Sequence, residues 1–152
     1  MTSKAPKRPS YEARAAFVNQ PVTVPAELDV VELRIPAKAE WVAVARLAVA
    51  AVANRLDFSV EDIEDVRLAI AEACTNVIRH ATSPGQIDIR CEATLTELTV
   101  EVGGGAAVRL RADVRSEDGL GIIIIQSLMD AVEYRAEQSG VVLQMTKRVH
   151  AR

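Results

Sequence analysis

Aromatic residues are scarce in this chain: one Trp, two Tyr and two Phe in 152 positions. The core must therefore be built mainly from Ala, Val, Ile and Leu, and no basic stretch is interleaved with aromatics, which disfavours nucleic-acid binding. Positive charge is not in excess. Eighteen Lys and Arg against 21 Asp and Glu leave a formal charge of −3, so direct nucleic-acid binding is not expected. Long apolar runs are missing too. The stretch from Trp41 to Val52 is too short to cross a bilayer, and Arg46 interrupts it. The N-terminus carries Lys4, Lys7 and Arg8 without an apolar h-region, so the expectation is a cytoplasmic chain with no leader and no membrane contact. The two cysteines, Cys74 and Cys91, have no CxxC neighbour and no His at metal-ligand spacing, and read as reduced core thiols. Histidine occurs twice, at 80 and 150. No HExxH, P-loop or GxSxG motif is present, which leaves nucleophilic catalysis with little support.

What remains is ordinary globular composition, 49% apolar and 26% charged, in a length that suits one domain. Residues 1–28, with Pro6, Pro9, Pro21 and Pro25 and no sustained period, read as a flexible tail, ordered at most on contact with a partner. The domain spans 29–149. Val31, Leu33 and Ile35 alternate as a first strand that Pro36 ends. Ala39 to Arg55 is an Ala-rich helix. A second helix starts at Ser59, with Asp62 completing a capping box and Phe58 and Ile63 placed as a hydrophobic staple, and runs to about Ala81. Ile87 to Ala93 and Leu98 to Val102 alternate as two strands joined by a turn over 94–97. Residues 106–118 read as a loop, and 122–129 as a helix opened by a Gly119-Leu120-Gly121 turn, although its four consecutive isoleucines would equally suit a buried strand. Val132, Tyr134 and Ala136 then face Val141, Leu143 and Met145 in a closing hairpin. The expected fold is α+β, a two-layer α/β sandwich with helices on one face of a mixed, mostly antiparallel sheet.

Three features can carry chemistry. Glu72, Asn76 and His80 recur every four residues, so they share a helical stripe about 80° wide, roughly 125° from the apolar face centred on Val66, Ile70, Ala73 and Val77. A carboxylate, an amide and an imidazole beside the buried face could hold a magnesium nucleotide. Polar residues there are also commonly just solvated, and His80 reads equally as a helix-end residue. Gly119-Leu120-Gly121 before a helix can bring backbone amides to phosphate oxygens, or can be a simple tight turn. The Gly103-Gly104-Gly105 run ends a strand, and Arg109, Arg111 and Arg115 in the following loop could meet phosphates.

Motif order narrows these choices. Glu72-Ala73-Cys74-Thr75-Asn76 with His80-Ala81, then Gly119-Leu120-Gly121, Met129-Asp130 and Ser139-Gly140-Val141-Val142, resembles the bacterial anti-sigma-factor serine/threonine kinases. These belong to the ATPase superfamily of histidine kinases and gyrase, and the likeness covers about residues 30–148. The resemblance implies their histidine-kinase-like (Bergerat) fold, with ATP and Mg2+ as cofactors. Glu72 would be the catalytic base toward a serine hydroxyl, and Asn76 the magnesium ligand. Asn76, His80, Gly104, Gly119, Leu120 and Gly121 would contact the nucleotide beneath a lid over 106–118. The partners it implies are an alternative sigma factor, an anti-anti-sigma STAS-domain protein and a second copy in a homodimer. In one place the chain departs from the family, whose Asp-x-Gly-x-Gly signature supplies an aspartate for the adenine amino group. Here the segment reads Val102-Gly103-Gly104-Gly105-Ala106-Ala107, with no aspartate in reach by a small register shift. That leaves open a second reading, a catalytically inactive module of the same fold that acts by protein contact without nucleotide.

Overall fold

The structure, a computed structural model, describes residues 28–80, 85–104, 117–137 and 140–151. Strand β1 (Asp29–Pro36) leads through one 3-10 turn into helix α1 (Val42–Ala53). Helix α2 (Val60–His80) follows, then strands β2 (Gln86–Ala93) and β3 (Glu97–Gly103), helix α3 (Glu117–Leu128) and the hairpin β4 (Ala131–Glu137) and β5 (Gly140–Arg148). The expected order of elements is therefore observed. The sheet runs β1-β2-β3-β5-β4. Every pairing among the described residues is antiparallel, so the parallel component that a mixed sheet allows is not there.

Local chemistry accounts for the element boundaries. Half of α1 is alanine, the best helix former, and the Asn54 side-chain amide donates to the Ala50 carbonyl at its end (2.9 Å). The capping box at the start of α2 is complete. The Asp62 N–H donates to Ser59 Oγ (3.0 Å), and the Ser59 N–H and hydroxyl donate to Asp62 Oδ2 (3.1 and 2.8 Å). Phe58 is buried and Ile63 packs against the core, as the staple requires. Burial alone would push the Asp62 carboxyl up. The bonds from Ser59, then the nearby Lys147, outweigh it and hold Asp62 below its ordinary value.

Strand alternation then divides the sheet into two faces. Ile87, Ile89, Cys91, Leu98, Val100 and Val102 point to the helices and are at most 3% exposed. Charged residues occupy the other face, where Arg34 meets Asp88 (2.5 Å), Arg90 meets Glu32 (2.6 Å) and Arg135 meets Glu101. Across the inner face α1 packs on β1 and β2, α2 on β3 and β5, and α3 on α2 and β4. Lys147 is the exception to the apolar inner face. Its ammonium donates to the Leu128 carbonyl at the end of α3 (2.7 Å) and to Asp65 of α2 (3.1 Å), with Asp62 at 3.6 Å. A buried cation is tolerable only with such partners, and these tie β5 to both helices.

Candidate functional site

On α2, Glu72 is half-buried and Asn76 is only 4% exposed. Among the described residues neither side chain has a hydrogen-bonding or ion-pair partner. The Asn76 amide is not among the fully enclosed polar atoms that lack a partner, so solvent or a ligand can still reach it. The cause of its burial lies on α3. A Cβ added at Gly121 would stand 3.1 Å from Glu72 Oε2, 3.3 Å from Asn76 Oδ1 and 3.6 Å from Asn76 Nδ2. With no side chain at 121, α3 comes this close without displacing the carboxylate or the amide, which a methyl would have to push aside by a few tenths of an ångström. The Glu72–Asn76 part of the stripe therefore packs against a second helix.

This corrects one expectation. Gly119-Leu120-Gly121 is not a turn ahead of a helix starting at Ile122, because α3 begins at Glu117 and the three residues lie inside it. Gly121 needs no left-handed backbone here, since its φ lies outside that region. Its requirement is the close approach of two helices, a tertiary demand that outweighs glycine's habit of ending helices.

Between α2 and α3 opens a cleft of about 380 Å3, lined by Glu72, Arg79, Leu120, Gly121 and Ile124. That volume is in the range of small-ligand sites, about 300–1,000 Å3. Of the expected site residues, Glu72, Leu120 and Gly121 meet here; Asn76 packs against Gly121 but does not line the cleft. His80 is half-buried, and Gly119 and Gly104 are buried, but none of the three lines the cleft. Arg79 and Ile124 escaped the sequence reading. Arg79 lies seven residues from Glu72, two turns on and about 20° away in angle, nearer the carboxylate's direction than His80 is. The expected lid falls mostly on residues 105–116, outside the described ones, and Arg109, Arg111 and Arg115 fall there too.

At the end of β3, Val102 is 1% exposed, and a Cβ on Gly103 would meet Val142 Cγ2 at 3.3 Å. Gly103 is thus explained by strand packing. Cys74, on α2 between Glu72 and Asn76, is fully buried, and burial pushes its thiol up to about 12. Cys91 rises to about 11 for the same reason. Neither supplies a thiolate near neutral pH. No cluster of three or more His, Cys, Asp or Glu suited to a metal occurs among the described residues. Magnesium fits the donors present, because it takes one or two protein oxygens and completes its shell with phosphates and water. Asn76 Oδ1, which faces Gly121, is an oxygen donor of that kind. A second hollow, about 440 Å3, lies across the sheet on its charged face. Its arginines are already paired with carboxylates, which leaves it no comparable chemistry. No helix among the described residues is long and apolar enough to cross a membrane.

Residues 35–147 match the model of the histidine kinase-like ATPase domain. The chain is 39% identical to the serine-protein kinase RsbW of Halalkalibacterium halodurans, covering 86% of this chain and 85% of that protein. It is 35% identical to the protein of the same name from Bacillus pumilus, over 79% of this chain and 86% of the relative. The Bacillus cereus strain AH820 counterpart is 37% identical over 78% and 84%. With a covered carboxylate–amide pair on its second helix and these relatives along most of its length, the chain belongs to the histidine kinase-like ATPase domain family, in the company of the RsbW serine-protein kinases.

Proposed function

We propose that this protein is an anti-sigma regulatory factor that binds an alternative sigma factor and phosphorylates a serine of an anti-anti-sigma STAS-domain protein with Mg-ATP. The observation that carries the reading is the Glu72–Asn76 pair, held against Gly121 with both side chains unpartnered among the described residues. Asn76 Oδ1 would hold the magnesium ion. Mg-ATP supplies the phosphoryl group and neutralises charge as it transfers. Glu72 Oε2, at the cleft wall, accepts the proton of the incoming serine hydroxyl and orients its oxygen. Arg79 at the rim adds positive charge where phosphates would lie. Asn76, at 4% exposure beneath α3, lies where polar contacts are stronger than in open water. The same reading makes the protein a cytoplasmic homodimer.

Calorimetric titration with Mg-ATP and Mg-ADP tests the site, repeated on Asn76→Ala. Micromolar binding that vanishes in the variant supports it. Phosphoryl transfer to a cognate STAS protein should then be lost in Glu72→Ala while nucleotide binding persists, and equal transfer would remove Glu72 from the chemistry. One observation favours the second reading, a nucleotide-independent binding module. The buried aliphatic Val102 and the glycines after it offer no carboxylate for an adenine amino group. Losing a buried charged hydrogen bond to a ligand typically costs ~2–5 kcal/mol. Absence of heat at millimolar nucleotide, with the protein folded, selects that module.

A further inference from the structure

We propose that Lys147 is a positioning residue: its buried ammonium sets the register of α3 against α2 and so places Gly121 opposite Glu72 and Asn76. The inference rests on the nucleotide site proposed above and adds to it a residue two helical turns away.

Two fixed points mark the seam between α2 and α3. At the first, Gly121 of α3 leaves room for Glu72 and Asn76 of α2. At the second, the Lys147 ammonium donates to the Leu128 carbonyl of α3 (2.7 Å) and to Asp65 Oδ2 of α2 (3.1 Å). Leu128 follows Gly121 by seven residues, and Asp65 precedes Glu72 by seven. On each helix that is two turns, about 10 Å along the axis and about 20° around it. The helices therefore run antiparallel, and the lysine holds both at matching points of one seam.

The end of α3 is fastened to β5 on either side of this lysine. The Asp130 N–H donates to the Thr146 carbonyl (2.9 Å), and Asp130 Oδ2 accepts from the Arg148 N–H (2.7 Å). These bonds fix α3 on the strand without reaching α2. Lys147 makes that connection from the inner face of β5. Leu128 offers it one of the carbonyls that a helix end leaves without a partner in its own helix, and a cation there suits the helix dipole. Asp62, at 3.6 Å, is already engaged by the Ser59 hydroxyl, so Asp65 is the direct link to α2.

Stability alone does not account for a lysine at this place. Residue 147 is 7% exposed on the face that Leu143 and Met145 share. An apolar side chain there would avoid desolvating an ammonium, and such replacements are often neutral or stabilising. What the charge adds is direction. Apolar surfaces tolerate sliding, whereas a buried ammonium drawn off its partners is costly. Setting register is the best attested use of such a group. Register matters here because a Cβ at 121 would already stand 3.1 Å from Glu72 Oε2. A slide of one residue's rise, about 1.5 Å, is a large fraction of that gap.

The test reads register in the nucleotide-free full chain from the NMR resonances of the Gly121 backbone amide and the Asn76 side-chain amide. Calorimetric titration with Mg-ATP reads its consequence. The variants are Lys147→Met, Asp65→Ala and Asp65→Asn, with Ile89→Val, a core truncation on β2, as the control for lost stability. We expect Lys147→Met and Asp65→Ala to shift both resonances and to bind Mg-ATP about tenfold or more weakly. Asp65→Asn, which keeps an oxygen for the ammonium, and Ile89→Val should stay near wild type in both readings. Unmoved resonances in the two folded variants overturn the proposal. So do moved resonances with undiminished affinity, or an equal loss in Ile89→Val. Should Lys147→Met fail to fold, Asp65→Ala decides by the same readings, since its side chain is 28% exposed and removes only one partner. Wild type that takes up no Mg-ATP overturns the kinase reading instead, and the resonances then decide the register by themselves.

Discussion

Gly121→Ala separates the stability of this fold from its chemistry. The added methyl would lie 3.1 Å from Glu72 Oε2 and 3.3 Å from Asn76 Oδ1, a few tenths of an ångström inside comfortable contact. Two effects oppose each other in stability. Gly121 is in the interior of α3 with no left-handed backbone, so alanine gains up to about 1 kcal/mol of helix propensity. Overpacking costs typically about 1–3 kcal/mol, but here the atoms that must yield are side-chain tips. The half-buried Glu72 can swing its carboxylate out, while Asn76, at 4% exposure, has less room. The net is a change within about 1 kcal/mol of zero, a melting shift of roughly 2–4 °C in either direction for a chain this size. The site, by contrast, has its carboxylate and amide pushed from their places beside Gly121. Mg-nucleotide affinity should fall about tenfold or more, equivalent to at least ~1.4 kcal/mol. Thermal melting and calorimetric titration of the same preparation read both quantities. Unchanged nucleotide affinity would refute the claim that Gly121 shapes the binding wall. A loss of more than about 3 kcal/mol in stability would show instead that it is a packing residue alone.

Three further outcomes follow from the geometry. Ser59→Ala should cost about 1 kcal/mol by opening the capping box. Because the Asp62 carboxyl is held below its ordinary 3.8, that box stabilises the protein above this value and fades as pH falls through the folded-state value; an acid titration in which wild type and Ser59→Ala run parallel would contradict it. Cys74 and Cys91 should resist alkylation in the folded protein. Their neutral burial stabilises fully below the ordinary thiol value of 9.0 and is lost as pH rises toward about 12 and 11, so rapid native-state labelling at pH 8 would sink the assignment. The Tyr134 hydroxyl is buried without a hydrogen-bond partner among the described residues. Tyr134→Phe should leave stability unchanged or raise it by about 1 kcal/mol, and a clear drop in melting temperature would reveal a partner for that oxygen.

The legible parts of this fold were those governed by neighbours in sequence. Ser59 and Asp62 are three residues apart, and their reciprocal bonds follow from helix-start chemistry alone. Alternation over 87–93, 98–102 and 141–145 placed each strand face correctly, because one buried face makes register costly to violate. Lys147 shows where that reasoning stops. Period-two alternation continues inward from Met145 to residue 147, a position that propensity would give to an apolar residue. What makes a lysine tolerable there is Asp65, 82 positions earlier, together with the carbonyl that ends α3.

The candidate site divides along the same line. Glu72 and Asn76 could be placed on one stripe from spacing, but whether that stripe met water or protein depended on a helix some forty residues later in the chain. Gly121 looked like punctuation because glycine's backbone freedom is its commonest use. The structure requires its other property, the missing Cβ. That property leaves no local trace, since it is defined only by the atoms across the gap, Glu72 Oε2 and Asn76 Oδ1. A polar stripe next to an apolar face is therefore ambiguous until the covering element is known. Here the covering residue leaves room for both oxygens, and the cleft that Glu72 and Gly121 line makes the stripe a candidate for binding chemistry. Had any larger residue stood at 121, the same Glu72 and Asn76 would have had to turn away from α3, and the sequence pattern on α2 would have looked no different.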